Sequence, residues 1–307
     1  MQSIKIFNGL GFMDIKNVKT FIKVAELGSF TKAAEELLYV QSTVTIQIKQ
    51  LEKELGFPLF DRVGRKIFLT AAGEEFLSLA YELVNMLSSA EKIGGGNKQT
   101  LLRIGVSESL LFSVITDFLP NFKKSHENVT LNIKTGHRID DLFEDLKYNR
   151  LDMVFVSSVL NTEPLFACHY VRKENLIFVC GAEHPLANKK NIPFSALAKY
   201  DFLMTEKEGT CHKRLRAIAA EQNESINIAA EIDNVFVIAE LAKKGLGLAF
   251  LPEYCVSDEL KNKTLKKLSV NVKEEAYYSQ LLCHKSRWLS PEMREFIDSV
   301  KTYRPER

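Results

Sequence analysis

The spacing of apolar residues changes character once along this chain of 307 residues, at Gly94-Gly95-Gly96-Asn97. Ahead of that break the apolar residues recur every three to four positions, the mark of amphipathic helices. Behind it short apolar runs alternate with helical patterns, the mark of a parallel sheet flanked by helices. A glycine triplet sits poorly inside either kind of element, so it reads as a joint between two architectures. The chain must therefore build at least two domains, and its length suffices for the core of each.

Four helices are expected before the joint, the first three of them short. Val18, Phe21, Ile22 and Ala25 share one face, and Gly28 ends their helix. Ser29 or Thr31 can cap a second helix, Lys32 to Leu38, whose Ala33, Ala34 and Leu37 form a compact apolar stripe. A turn at Tyr39 and Val40 leads to a third helix from about Ser42 to Leu55, with Val44, Ile48, Leu51 and Leu55 inward and Gly56 as its stop. Leu59–Arg62 and Lys66–Thr70 then read as a short β-ribbon around Gly64-Arg65. Two helices joined by a tight turn and followed by a ribbon describe an α-helical winged helix-turn-helix. In that arrangement the second helix enters the major groove of DNA with its N-terminal side chains toward base edges. Here those are Gln41, Ser42, Thr43, Thr45 and Gln47. Gln can hold adenine by two hydrogen bonds, and Ser or Thr can serve bases or phosphates. Thr31 and Lys49 join the candidate contacts, as do Arg62, Arg65 and Lys66 at the ribbon tip, placed for phosphate or minor-groove contact. Glu35, Glu36, Glu52 and Glu54 read as solvated helix faces.

From Ala71 to Ile93 runs one long amphipathic helix, with Phe76, Leu79 or Ala80, Leu83, Leu87 and Ala90 as a seam suited to a second helix. Beyond the joint, strands are expected at Leu101–Val106, Val129–Lys134, Leu151–Val156, Leu176–Cys180, Phe202–Met204, Ile226–Glu231, Leu246–Phe250 and Ser279–Cys283, with helices between them and a last helix at Pro291–Tyr303.

The residues also carry a family likeness. Gly28-Ser29-Phe30-Thr31-Lys32-Ala33-Ala34-Glu35-Glu36-Leu37, Val40 to Thr45, Ile48 to Gly56, Pro58-Leu59-Phe60-Asp61-Arg62 and Leu69-Thr70-Ala71-Ala72-Gly73 together resemble the LysR-type transcriptional regulators, without a gap over about sixty residues. Leu142 to Leu146, Leu151-Asp152-Met153 and Lys244 to Pro252 extend the resemblance more loosely, to Tyr303. It implies a DNA-binding domain, a dimerising linker helix and a two-lobed α/β effector domain like a periplasmic solute-binding protein. The expected boundaries are 13–72 for the winged helix-turn-helix, 73–93 for the linker helix, 94–100 for a hinge and 101–307 for the regulatory domain. Within the last, lobe I takes about 101–165 and 276–307, and lobe II about 166–275. Ile46 departs from the family pattern, standing where many members carry Arg. Met13-Asp14-Ile15 resembles a family start, so residues 1–12 read as an extension or a misassigned start.

Ligands of such folds settle between the lobes, at strand ends. That places Ser107, Ser109, Thr135, Gly136, Ser157 and Thr205 as the candidate effector residues, and a small molecule, generically a carboxylate, as the expected effector. Double-stranded operator DNA and further copies of the chain, as dimer or tetramer, are the other expected partners.

Other classes find little support. No Ser–His–Asp set, Walker loop or dinucleotide fingerprint occurs, so no catalytic residue or cofactor is expected. Five Cys, no CxxC and three isolated Cys-His dipeptides give no metal-ligand spacing. The absence of a long apolar run or of a cleavable leader points to the cytoplasm rather than a membrane, and against an exported solute-binding protein. A thiol-switched regulator of the same fold is the alternative, with Cys211, just before a helix, as the thiol whose pKa would be lowered. The net charge of +2 excludes little. Residues 14–73 hold nine Lys and Arg against seven Asp and Glu, so the placement of charge matters more than its sum.

Overall fold

The computed structural model describes residues 13–63, 66–90, 99–136, 138–273, 276–285 and 287–303. The chain divides into two units, one carrying the N-terminal elements and the other nearly everything from Gln99 onward.

In the first unit, α1 (Ile15–Leu27) begins at Asp14, whose carboxylate accepts the Lys16 amide at 2.9 Å, and ends at Gly28 with φ +56°. Ser29 caps α2 (Phe30–Leu37) by accepting the Lys32 amide. Of the two caps the sequence allowed, Ser29 is therefore the one used, and Thr31 lies inside the helix. The chain turns through Leu38, in the left-handed region, into α3 (Gln41–Leu55). Ala33 and Ala34 are buried, and their small side chains let α2 sit close to α3. Strands β1 (Phe60–Val63) and β2 (Lys66–Leu69) pair antiparallel, and α4 (Ala71–Ala90) follows. Phe21, Phe60 and Phe76 bring α1, the ribbon and α4 into one core, with Phe21 ring centroids 5.4 and 5.2 Å from the other two. Glu52 is not a solvated carboxylate. It accepts the Leu59 amide at 2.8 Å and so fastens the 56–59 turn to α3. Gly73 is required by close approach, since a Cβ there would run into the Leu59 carbonyl.

The expected linker seam divides between two faces of α4. Phe76, Leu77, Ala80 and Tyr81 belong to the core of this unit. Leu79, Leu83, Met86 and Leu87 form a separate apolar stripe that is exposed along the helix.

The second unit holds two five-stranded sheets. Its elements in order are β3 (Thr100–Val106), α5 (Glu108–Leu110), a π turn (Leu111–Ile115), α6 (Thr116–Ser125), β4 (Val129–Thr135), α7 (Ile139–Lys147), β5 (Met153–Ser158) and β6 (Phe166–Glu174). Then come β7 (Leu176–Gly181), α8 (Phe194–Leu197), β8 (Asp201–Met204), α9 (Thr210–Glu221), β9 (Asn227–Glu231), α10 (Val235–Lys243) and β10 (Leu248–Pro252). A 3-10 turn (Glu253–Val256), α11 (Ser257–Lys261), β11 (Leu265–Leu268), β12 (Tyr277–His284) and α12 (Pro291–Thr302) complete it. The first sheet runs β4-β3-β5-β12-β6 and the second β11-β7-β10-β8-β9. Three strands of each are parallel, and β6, β7, β11 and β12 add antiparallel partners. Separate apolar clusters cover the two faces of each sheet.

Two sequence expectations are corrected by this topology. The sheets are mixed rather than parallel throughout. Residues 166–174, assigned to lobe II, form β6 and pair with β12 in the sheet of lobe I, so the chain crosses at Asn175. The reason is the register of β12, which returns from lobe II and needs a partner on its outer edge. Of the expected hinge, 94–100, residues 94–98 lie outside the described residues, as do residues 1–12, and Thr100 already belongs to β3.

Candidate functional site

The first candidate surface is the head of α3. Val44, Ile48 and Leu51 face the core, which turns Gln41, Ser42, Ile46, Lys49 and Gln50 to solvent and leaves Thr43, Thr45 and Gln47 half-buried. Three of these side chains are already engaged, Gln50 by donating to Glu54 Oε1 at 2.8 Å. The Thr45 hydroxyl donates to the Gln41 carbonyl at 3.0 Å. Thr20 donates to Gln47 Oε1 at 2.8 Å, which ties that amide to α1 and leaves only its NH2 group outward. Val40, at the N-cap, offers no side chain to the first amides of α3. Thr31 is exposed on the first turn of α2. Arg62 and Lys66 occupy adjacent pairs of the ribbon, Arg62 opposite Ile67 and Lys66 opposite Val63. Arg65, and the side chains of Arg62 and Lys66, lie outside the described residues.

The second candidate is the cleft between the two sheets of the other unit. Thr135 ends β4 beside Val106 of β3, so Gly136 and Ser107 continue from adjacent strand ends, with Thr135 itself exposed. The Ser107 amide donates to the Phe155 carbonyl, and its hydroxyl is buried without a hydrogen-bond partner. Thr205, after β8, is 8% exposed and its hydroxyl is likewise unpartnered. Its carbonyl holds His212 Nδ1 at 2.8 Å, and Gly209 lies so near the Thr205 hydroxyl that a Cβ there would stand 2.9 Å from it.

Ser109 and Ser157 belong to a chain of hydroxyls that the sequence did not reveal. Tyr254, on the 3-10 turn after β10, lies 3.0 Å from Ser109 Oγ and donates to Ser157 Oγ at 2.9 Å. Ser157 lies 3.0 Å from Ser279 Oγ, which donates to Glu174 Oε1 at 2.6 Å. Arg172 Nε donates to the same oxygen at 2.8 Å. The carboxylate can only accept, so each hydroxyl in turn must donate toward it, from Ser109 through Tyr254, Ser157 and Ser279 to Glu174. The relay leaves lobe I at Ser109, passes through lobe II at Tyr254 and returns to lobe I at Ser157. Asn234, which caps α10, makes a second crossing by donating to Glu108 Oε1 at 2.8 Å, and the Phe112 and Phe236 rings make a third at 4.4 Å. The i, i+2 spacing of Arg172 and Glu174, which puts both on one face of a strand, was the available sequence signal.

Burial decides the chemistry of this cleft. It pushes the Tyr254 and Tyr277 phenols and the Cys255 thiol well above their ordinary pKa values. The Cys211 thiol is pushed up to about 12 by burial and by the Glu206 carboxylate. This reverses the expectation of a lowered pKa at Cys211, because desolvation outweighs the helix start. At neutral pH Cys211 is a thiol, a poor nucleophile. On the rim, Lys213 holds the Glu208 carboxyl below its usual range, and Arg138 on the opposite lobe adds to the effect. No group of His, Cys, Asp and Glu able to hold a metal occurs among the described residues, and none of their helices is long and apolar enough to cross a membrane.

Known proteins place the two units in one family. The profile of the LysR substrate binding domain matches residues 95–304, and that of the bacterial regulatory helix-turn-helix protein, lysR family, matches residues 15–74. The uncharacterized HTH-type transcriptional regulator YwqM of Bacillus subtilis is 29% identical over 291 residues, which span 94% of this chain and 99% of that one. The fold is similar to that of ArgP from Mycobacterium tuberculosis, with a TM-score of 0.73, 20% identity and coverage of 93% and 95% of the two chains. It is also similar to the effector binding domain of QuiR in complex with shikimate, with a TM-score of 0.54, 21% identity and coverage of 66% of this chain and 96% of that one. The chain belongs to the LysR family of helix-turn-helix transcriptional regulators.

Proposed function

We propose that this regulator reads operator DNA with the head of α3 and answers to a small molecule held between its two α/β lobes. The observation that carries the reading is the division of α3. Its apolar side is committed to the core, while Gln41, Ser42 and Lys49 stand outward at the end that a major groove would receive. The amides of the first turn, which no side chain caps, add a seat for a backbone phosphate. The exposed α4 stripe, Leu79, Leu83, Met86 and Leu87, supports pairing of two copies, so that each dimer presents two such helices.

For the effector, Ser107 and Thr205 supply two buried hydroxyls without partners, on strand ends of different lobes. A carboxylate satisfies both as an acceptor, and the start of α9 adds backbone amides of the right polarity. Thr135, Gly136, Ser109 and Ser157 complete the candidate lining. An effector that binds one spacing of the lobes better than another shifts their equilibrium, and the segment 94–100 passes that shift to the DNA-binding dimer. Under this reading the protein acts in the cytoplasm and carries out no catalysis.

Selection of bound duplexes from random DNA with the full chain tests the first half. Specific duplexes should emerge, and Gln41→Ala should weaken them by about 1–3 kcal/mol while sparing random DNA. Equal loss on both, or no sequence preference at all, refutes the reading. Titration of the selected duplex with small carboxylates, beginning with shikimate, tests the second half. A responding compound should lose its effect in Ser107→Ala and Thr205→Ala, with basal DNA binding intact.

A further inference from the structure

Ile46 has no role in the fold. It is 66% exposed and is the single large apolar side chain exposed on α3, in the middle of the segment assigned to base reading. Burying it in the core is ruled out by its position, since the core face of α3 is already filled by Val44, Ile48 and Leu51. Helix spacing sets it on one face with Ser42 four residues before and Lys49 three residues after. Those neighbours are a hydrogen-bonding side chain and a cation, both suited to DNA, so Ile46 stands in the middle of a DNA-facing row.

Ile carries no hydrogen-bonding group, so its contact with a base edge must be apolar. In the major groove the thymine C5-methyl is the apolar group that a base pair presents. A β-branched side chain on a helix is also held largely in one χ1 well, so fixing it against a methyl costs little further freedom. Its surroundings favour the same base pair. Thr45 has committed its hydroxyl proton to the Gln41 carbonyl and retains an acceptor and a methyl. Gln47 has committed its carbonyl oxygen to Thr20 and can no longer hold adenine with both ends of its amide. Gln41, exposed at the head of the helix, keeps that capacity. Among the side chains flanking Ile46 only Lys49 can grip guanine, and it stands nearly a turn further along α3.

We propose that Ile46 is a specificity-determining residue that reads thymine through its C5-methyl group, so that the operator is selected at this position by an apolar contact rather than by a hydrogen bond. The assignment rests on α3 being the reading helix.

The test uses the full chain and a duplex recovered from random DNA. Each thymine is replaced in turn by deoxyuridine, which removes the methyl and leaves pairing unchanged. At one or more positions the wild-type chain should lose about fourfold in affinity, the ratio that about 0.8 kcal/mol per buried methyl gives. At those same positions Ile46→Ala should bind thymine and uridine duplexes equally, at the level of wild type on uridine. Because Ile46 is exposed, the variant should melt and sediment as the wild type does. The assignment falls if every thymine-to-uridine loss persists unchanged in Ile46→Ala, or if Ile46→Ala alters sedimentation, which would place Ile46 against another protein surface. Gln41→Ala on the same duplexes separates the two levels. If it lowers specific binding while Ile46→Ala shows no coupling to a methyl, α3 still reads DNA and Ile46 does not. If both variants leave specific binding untouched, or no duplex is selected, the reading helix is wrong and the assignment goes with it.

Discussion

Tyr254 and Ser157 come from different lobes, and the phenol of one donates to the hydroxyl of the other at 2.9 Å. The bond is one step of a directed relay that starts at Ser109 and ends on the Glu174 carboxylate. Ser157 and Ser279 are fully buried, so every member must keep both its donor and its acceptor satisfied. A change in lobe spacing breaks the relay at Tyr254, the member that crosses the cleft. An effector that separates or rotates the lobes must therefore replace these bonds with its own.

Tyr254→Phe removes the crossing hydroxyl and little else. Ser157 loses its donor and Ser109 its acceptor. The expected cost is about 1–3 kcal/mol, the range for leaving buried polar groups unpaired. In a domain of this size that lowers the calorimetric Tm of the regulatory part by roughly 2–4 °C for each kcal/mol. An unchanged Tm would mean that water or a neighbour restores the lost bonds, and that the relay does not hold the lobes.

The buried thiol makes a prediction about pH. Cys211 has an ordinary value of 9.0 and is held up to about 12 in the fold. Between those values the unfolded chain releases a proton that the folded chain keeps. Stability from this group is therefore complete below pH 9 and is lost as the pH rises toward 12. Each such group removes up to about 1.4 kcal/mol per pH unit in that window. Denaturant titrations at pH 7, 9 and 10 should show the decline, and Cys211→Ala should make it shallower. Alkylation at pH 8 followed by mass spectrometry should label the exposed Cys168 well before Cys211. Fast labelling of Cys211 would revive a thiol switch.

Much of this fold is written in local pattern, and the exceptions have physical causes. The α1–α3 segment is legible because Gly28 and Gly56 mark helix ends and Ala33-Ala34 marks a tight contact. Strand β6 escaped because Phe166–Glu174 mixes His, Arg, Lys and Glu into its alternation, and it is held by pairing with β12, more than a hundred residues on. Strand β11 is four residues, too short for a period. The strand-end residues Ser107 and Thr205 were accessible because strand–helix alternation puts such positions at a cleft. Tyr254 and Ser279 were not, since distant segments meet there and neither carries a motif, and Glu174 offered only its i, i+2 spacing from Arg172. Nor does spacing show which polar groups are occupied, as with Gln47 held by Thr20 and Glu52 held by the Leu59 amide.

The exposed α4 stripe predicts a change in assembly. Leu83→Glu places a charge at its centre without disturbing the core, since Leu83 is 39% exposed. Sedimentation should shift toward the monomer, and operator affinity should fall with it, because two joined half-sites bind far better than one. Melting of the DNA-binding unit should change little. A dimer that survives Leu83→Glu would place the contact on another surface.

The start of α3 breaks a local rule, and under the proposed DNA reading this would set stability against DNA binding. Val40 occupies the N-cap but has no side-chain acceptor for the first-turn amides. Ser or Asp at an N-cap is worth about 0.5–2 kcal/mol over an apolar residue. A protein shaped by stability alone would carry one. Val40→Ser should therefore raise the melting temperature of the DNA-binding unit, and Val40→Asp should raise it further because a carboxylate also favours the positive end of the helix. On DNA the two should part. The Asp carboxylate would occupy the amides that a backbone phosphate would otherwise meet, and would repel that phosphate as well. Val40→Asp should weaken specific and random DNA alike and flatten the salt dependence, since one phosphate contact is lost. Val40→Ser, without charge, should weaken both less. Comparing thermal melts with salt-dependent binding of the two variants checks this. A Val40→Asp chain that gains stability and binds DNA as before would show that the start of α3 meets no phosphate.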